Sequence, residues 1–427
     1  MRLRTLRILL AASGFLALST LLTACPGGGT PPPPGNITVT VEDPQGVGFD
    51  GAYQVGSGAW QALSFTGNTA TFSLGNSNKY GVAIRCHGTG GGPDQIHLIQ
   101  ATNAELSNPK VACSAATASG VSFTVNVDLS GLSTAQAGDV VFVSGGMSGS
   151  ATGTVVNPST PVPVALNSWP AGVQDLVVAV VDSSYTWRVA KVVRGVNVTA
   201  SGNATVTVAD GDVLPPGSAT FNLPSGFAPT SQSYFVGYLS GDNKGWGFLG
   251  GGNASPIPYR PVKGFAAGDR YVAWAVAWEG GTRGLYAYKG FASGNPAVTL
   301  PNPWPTGSLA VDGNAHPQVS GLSYTAPDLK SYRVSLESPN LIYEALLSKG
   351  WLGSATSYTF PDLTGLLGYT PYGNGDTVQL SATATLSSQN VLALDPNDPS
   401  GFTVNTEIRE SVACGTYTVG SGTVSLP

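Results

Sequence analysis

The sequence predicts an all-β protein laid out as a row of tandem two-layer sandwiches. Three observations carry that expectation. The 427 residues include 57 glycines and 31 prolines, a composition that disfavours long helices and favours turns. Short runs alternate with a period of two, as in Ile37-Thr38-Val39-Thr40-Val41 and Tyr332-Arg333-Val334-Ser335-Leu336. Part of the chain also repeats itself at an offset of 95 residues.

The repeat divides the middle of the chain. Asp128 to Leu132 falls on Leu223 to Phe227, and Thr160-Pro161-Val162-Pro163 falls on Ser255-Pro256-Ile257-Pro258. Val177 to Val196 then falls on Val272 to Phe291 without a gap, and after a three-residue adjustment Asn203 to Val208 matches Asn295 to Leu300. Units of this length with turn chemistry between alternating runs fit an immunoglobulin-like sandwich. A single β core does not extend over about 400 residues, so four modules are expected: 36–116, 117–213 (repeat a), 214–306 (repeat b) and 307–427.

Each module supplies its own strands. In the third, Val272, Trp274, Val276 and Trp278 alternate with Ala273, Ala275 and Ala277, so the bulky face is expected to be the core face. The counterpart in the second is Val177 to Val181, a turn at Asp182-Ser183-Ser184 and a strand around Trp187-Arg188-Val189. In the fourth, Leu341 to Leu347 reads as a helical turn or two. The run Ser357-Tyr358-Thr359-Phe360-Pro361-Asp362-Leu363 resembles the strand-then-loop of fibronectin type III modules.

The N-terminus reads as an export signal. Arg2, Arg4 and Arg7 precede an apolar segment from Ile8 to Leu22, shorter than the roughly twenty residues a spanning helix needs. Leu22-Thr23-Ala24-Cys25 resembles the lipobox of bacterial lipoproteins. That resemblance implies cleavage after residue 24, acylation of Cys25, and a membrane as the first partner. Two or three acyl chains make such an anchor lasting where one does not. Pro26 in place of an aspartate favours the outer membrane or cell surface. Residues 25–35 are a Pro/Gly-rich tether, extended at about 3.1 Å per residue.

Composition narrows the chemistry. Only 10% of residues are charged. Without the three signal arginines, 16 basic residues face 24 acidic ones, a net charge of −8. The third module is mildly basic and the fourth acidic, and neither carries the basic stripe of a nucleic-acid binder. With Cys25 acylated, Cys86 and Cys113 share one module and are the natural disulfide pair of an oxidising compartment, leaving Cys414 as a buried free thiol.

Catalytic groups are sparse. His87, His97 and His316 are isolated, and Cys86 with His87 lacks the further ligands of a metal site. Gly146-Met147-Ser148-Gly149-Ser150 only approaches a nucleophile motif. The G-x-G-x-x-G at Gly245 to Gly250 lies between strand-like runs instead of opening a helix. Asp210 with Asp212, and Asp395 with Asn397 and Asp398, could hold calcium but read as turn residues. No cofactor, metal or catalytic residue is nominated, and an envelope hydrolase ranks last. The leading expectation is a lipid-anchored envelope protein with a structural or interaction role. The second is a carbohydrate binder using the aromatics of the third module, with Trp246 in its Gly-rich loop and Tyr259 as the candidate ligand residues.

Overall fold

A computed structural model describes residues 35–114, 120–145, 149–394 and 401–426. Cys25, Met147, Asp395, Asn397 and Asp398 lie outside the described residues. Within them the protein is all-β, and its strands fall into four consecutive sets.

The first set is β1 (Asn36–Glu42), β2 (Phe49–Val55), β3 (Gln61–Ala62), β4 (Thr69–Ser73), β5 (Lys79–Cys86), β6 (Asp94–Thr102) and β7 (Lys110–Ala112). The alternation in β1 puts Ile37, Val39 and Val41 in the interior with no exposure. One sheet runs β4-β1-β7 and the other β3-β2-β5-β6. Cys86 and Cys113 are disulfide-bonded, tying the end of β5 in one layer to the residue after β7 in the other.

The second set repeats that plan with β8 (Gly120–Gly131), β9 (Val140–Gly145), β10 (Ser150–Thr154), β11 (Val162–Pro170), β12 (Gly172–Val181), β13 (Trp187–Val198) and β14 (Gly202–Ala209), in sheets β11-β8-β14 and β10-β9-β12-β13. The third follows with β15 (Gly217–Asn222), β16 (Ser231–Leu239), β17 (Trp246–Gly252), β18 (Ile257–Tyr259), β19 (Arg270–Glu279), β20 (Arg283–Phe291) and β21 (Ala297–Thr299), in sheets β18-β15-β21 and β17-β16-β19-β20. In all three sets the last strand lies parallel to the first.

The fourth set is β22 (Ala310–Val311), β23 (Gln318–Ser320), β24 (Leu329–Glu337), β25 (Leu341–Ser348), β26 (Ser357–Thr359), β27 (Thr377–Leu386), β28 (Glu407–Thr418) and β29 (Val424–Ser425). Here the edge beside β23 is filled by the preceding strand β22, antiparallel, with β29 outside it. Leu341 to Leu347 is strand β25, not a helical turn. Leu341, Tyr343, Ala345 and Leu347 enter the core while the backbone pairs with β24 on one side and β6 on the other. One partner is the adjacent hairpin arm and the other lies far away in sequence, and pairing on both sides overrides a local helical preference.

The segments that match at the 95-residue offset lie on topologically corresponding strands: β11 with β18, β12 with β19, β14 with β21. The ungapped match does not survive the hairpin. Val177 pairs with Val192, whereas Val272 pairs with Gly290, an offset of 98 in the second arm. The difference arises because the paired arms beyond these positions are longer in the third module, where β19 runs on from Val272 to Glu279 while β12 runs from Val177 only to Val181, and this outweighs the shorter β19–β20 turn.

Local chemistry explains several corners. Gly138, Gly268 and Gly375 take φ near +90°, and each is followed by an aspartate that immediately precedes a strand. Asp139, Asp269 and Asp376 accept a hydrogen bond from the backbone N–H three residues back, at 2.9, 2.8 and 2.7 Å. Tyr271 and Tyr369 form tyrosine corners, their hydroxyls accepting from Val262 N at 3.2 Å and Leu363 N at 3.3 Å.

The modules join through their larger sheets. A twelve-stranded sheet runs β17-β16-β19-β20-β28-β27-β24-β25-β6-β5-β2-β3, so the fourth set lies between the third and the first. β20 pairs antiparallel with β28, and β25 pairs parallel with β6. The second set packs differently, laying the outer face of its four-stranded sheet against the third. Strands used on both faces read as continuous apolar runs. In β12, Leu176, Val178 and Val180 serve their own core while Val177 and Ala179 serve the next. In β5, Val82 and Ile84 face one core and Ala83 faces that of the fourth set.

Candidate functional site

The third module places its aromatics on two sides of one sheet. Its interior is filled by Phe221, Tyr234, Tyr238, Tyr259, Tyr271 and Phe291. These rings leave room for only small groups opposite, and Ala273, Ala275, Ala277 and Ala287 take those places with at most 3% exposure. Alternation then sends Trp274, Val276 and Trp278 outward. The expected orientation of this strand is therefore reversed: the alanines are the core face. The same register brings Phe235 beside Trp274 and Tyr288 on its other side, with Tyr286 beside Val276.

On this outer face the rings pack on one another. Phe235 stacks on Trp274 with centroids 5.2 Å apart, and Trp246 and Phe248 each lie 5.5 Å from Trp274. Trp278 meets Tyr286 edge-on at 5.9 Å, and Tyr288 meets Phe402 at 5.5 Å. Burial pushes the Tyr286 phenol up to about 12, so the ring stays neutral at physiological pH. Glycines seat the indoles. A Cβ on Gly284, directly across from Trp278, would stand 2.9 Å from that ring. One on Gly237 would stand 2.8 Å from Trp246 and 3.0 Å from Trp274. Trp274, Trp278, Tyr286 and Tyr288 all keep partial exposure.

The face continues into the fourth module as a polar surface. One cross-strand row reads Trp278, Gly284, Val412, Thr383 and Arg333. Beside it Thr385 Oγ1 donates to Glu410 Oε1 at 3.2 Å. A groove of about 300 Å³ on the same face is lined by Ser335, Gln379, Ser381, Cys414 and Thr416. Burial raises the Cys414 thiol above its ordinary range, which leaves it protonated and a weak nucleophile at neutral pH.

The two residues singled out from sequence sit elsewhere in the packing. Trp246 is not in a loop; it opens β17 and is 8% exposed beneath Phe248 and Trp274. Tyr259 is 2% exposed, its ring against Gly217 and its hydroxyl donating to Gly294 O at 2.7 Å. Neither ring presents a face to solvent. The signal that points to the outer face is a glycine directly across from a tryptophan, as in Gly284 and Trp278.

Other motifs resolve as structure. The glycines of Gly245 to Gly250 allow close approach: a Cβ at 245 would lie 2.8 Å from Asp175, at 247 2.5 Å from Val177, and at 250 2.4 Å from Pro258 O. The motif is a docking edge between modules. Asp210 accepts from Ser133, and Asp212 from Lys191 and Ala209 N. Among the described residues, no three His, Cys, Asp or Glu side chains group as metal ligands. His87 contacts Asp50 at 2.7 Å and His316 faces Asp362 at 3.5 Å.

The sheets define the class: an all-β protein of immunoglobulin-like sandwich modules. No known protein family and no curated protein matches the chain. Among solved structures it is similar to the FN1–FN3 domains of chicken CNTN1, at 10% identity over 57% of this chain and 84% of that one, TM-score 0.15. It is similar also to the Bacillus anthracis TIE protein, at 10% identity over 91% and 73%, TM-score 0.15. A third is SGBP-B of the Bacteroides ovatus mixed-linkage glucan utilization locus, in complex with a mixed-linkage heptasaccharide, at 10% identity over 89% and 92%, TM-score 0.11. Overlays this loose carry no argument about function.

Proposed function

We propose that this chain is an extracytoplasmic interaction protein, held to a bacterial membrane by acyl chains on Cys25, that presents a rigid β platform to a partner at the cell envelope. The observation that carries this reading is the twelve-stranded sheet, which fixes the first, third and fourth modules in one body and gives the third and fourth a continuous outer face. The Cys86–Cys113 bridge suits an oxidising compartment. No helix among the described residues is long and apolar enough to cross a membrane, and the lipobox resemblance supplies the attachment instead. The test is incorporation of labelled palmitate into the full chain expressed in bacteria. Wild type takes up label; a Cys25→Ser variant that still takes it up removes the anchor from the proposal.

The outward turn of Trp274 and Trp278 favours a second reading, in which that platform binds a glycan. Half-exposed rings offer flat apolar surfaces to the C–H faces of sugars, and the hydroxyl and amide side chains of the adjoining fourth module suit a hydroxyl-rich polymer. Retention on immobilised cell-wall polysaccharide checks it. Equal retention of wild type and a Trp274→Ala/Trp278→Ala variant sinks this reading and leaves the platform proposal standing.

A further inference from the structure

A second aromatic site lies on the opposite side of the molecule, where the first and fourth modules meet. An open cleft of about 730 Å³ separates them, a size within the range of small-ligand sites, which favour module boundaries. One wall belongs to the first module. There the Trp60 ring lies over Gly81, so close that a Cβ on Gly81 would be 2.7 Å from it. The other wall belongs to the fourth module, where Trp351 meets Tyr358 edge-on at 5.9 Å. Both indoles are partly exposed.

The polar groups between these walls are unusual. Gln100 is only 3% exposed, and neither its Oε1 nor the buried Tyr358 hydroxyl has a hydrogen bond of normal geometry; the two side chains meet only in a loose contact with each other. Gln54 lies alongside, its Oε1 3.5 Å from Gln100 Nε2. Leaving buried polar atoms unpaired is costly, and most are satisfied in folded proteins. The one ammonium at the cleft is already engaged: Lys79 Nζ donates to Trp351 O at 2.6 Å and so ties the two walls together. The walls are also held by the β6–β25 pairing and by Glu105, whose carboxylate accepts from Ser348 Oγ at 2.5 Å and Gly350 N at 2.7 Å.

We propose that this cleft is a binding site for a neutral, hexose-based oligosaccharide. A pyranose carries an apolar C–H face for Trp60 or Trp351 and a hydroxyl rim for the Gln100 amide and the Tyr358 phenol. No carboxylate lines the cleft and its single ammonium spans the two walls, so the lining between them is mainly hydroxyl and amide groups, which suit a hydroxyl-rich ligand. The site lies apart from the outer face of the third module and does not rest on it or on the lipid anchor.

The test is titration of the full chain, in detergent, with four neutral hexaoses (cello-, laminari-, malto- and chitohexaose), followed by tryptophan fluorescence and calorimetry. Saturable binding of at least one is expected. Gln100→Leu, which removes the unpaired amide with little change of volume, and Trp60→Ala are each expected to weaken it at least tenfold. Trp278→Ala, on the other surface, is expected to leave it within twofold. Circular dichroism and melting of each variant separate lost binding from lost folding, and Tyr358→Phe gives a second probe of the floor with minimal disturbance. Failure of all four sugars to saturate overturns the proposal, as does binding that Gln100→Leu and Tyr358→Phe leave unchanged. Binding abolished only by Trp278→Ala assigns the sugar to the third module and also overturns it.

Discussion

The second and third modules build the same four-stranded sheet and use its outer face in opposite ways. In the second, β12 and β13 place the pair Ala179 and Ala190 on that face; the corresponding pair in the third is Trp274 and Tyr288. Small, flat residues let another module settle: Val177, Ala179, Ala190 and Val192 disappear under β17 and the loop before β19. Lys263 there exchanges backbone hydrogen bonds with Ala190 O at 2.8 Å and Val192 N at 2.9 Å. Large rings do the reverse. They fill the space a neighbouring backbone would need and cover much of their own surface by packing together. One topology thus yields a module-to-module interface where side chains are small and a ring-lined exposed face where they are large.

The largest effect is expected at the covered face. Arg194, from the second module, pairs with Asp175 at 2.8 Å and also with Asp269 of the third, and both carboxylates are almost wholly buried. Tyr238 and the backbone N–H groups of Gly241 and Ala266 also donate to Asp269. Arg194→Ala leaves both acids without their cation, and breaking a buried pair this way costs about 3 kcal/mol. Urea unfolding is expected to show the second module separating in its own early transition; a single unshifted transition would break the account of the interface.

Glycine substitutions compare the faces directly. Gly247→Ala drives a methyl into Val177 at the closed interface, and overpacking of this kind costs about 1–3 kcal/mol. Gly284→Ala drives one into Trp278, a ring with solvent on one side, and is expected to cost under about 1 kcal/mol. Thermal denaturation of the two variants decides this. Equal losses would mean that the outer face is as tightly closed as the interface.

Acid tests the other junction. Burial raises the Glu105 carboxyl, but hydrogen bonds from Ser348, Thr102 and the N–H of Gly350 outweigh burial and hold it below its ordinary range. A depressed carboxyl stabilises the folded state above the unfolded value of about 4.3, and that stabilisation is lost as pH falls through the lower folded value. Cross-linking between the first and fourth modules is therefore expected to hold at pH 5 and above and to fall below about pH 4. Glu105→Gln should abolish that pH step while lowering the plateau. The smallest effect is expected for Trp278→Ala. Melting should shift by a degree or two, since surface substitutions lie within roughly 0.5 kcal/mol, even where polysaccharide retention is lost.

Much of the fold was legible along the chain. The alternation in β1, the turn chemistry between strands and the Cys86–Cys113 pairing are local or nearly so. The run from Leu176 to Val181 also declared itself, since a strand buried on both faces reads as unbroken apolar sequence. The candidate surfaces were less legible. Trp246 looked free because glycines surround it, and Tyr259 stood with it among the aromatics of the same module. Those same glycines are where other atoms come close. Trp60 and Trp351 drew no attention at all, being 291 positions apart.

What the sequence alone determined is the all-β character of the chain and the alternation that separates tryptophans from alanines along β19. Period two fixes that the two faces differ; it does not say which is inside when both are apolar. Tertiary structure settled that: seven large rings already occupy the third core, and along β19 the alanine methyls are what fits against them. It also settled the order of modules. Pairing of β28 with β20 and of β25 with β6 is made by backbone groups that every residue carries, so no side-chain pattern announces it.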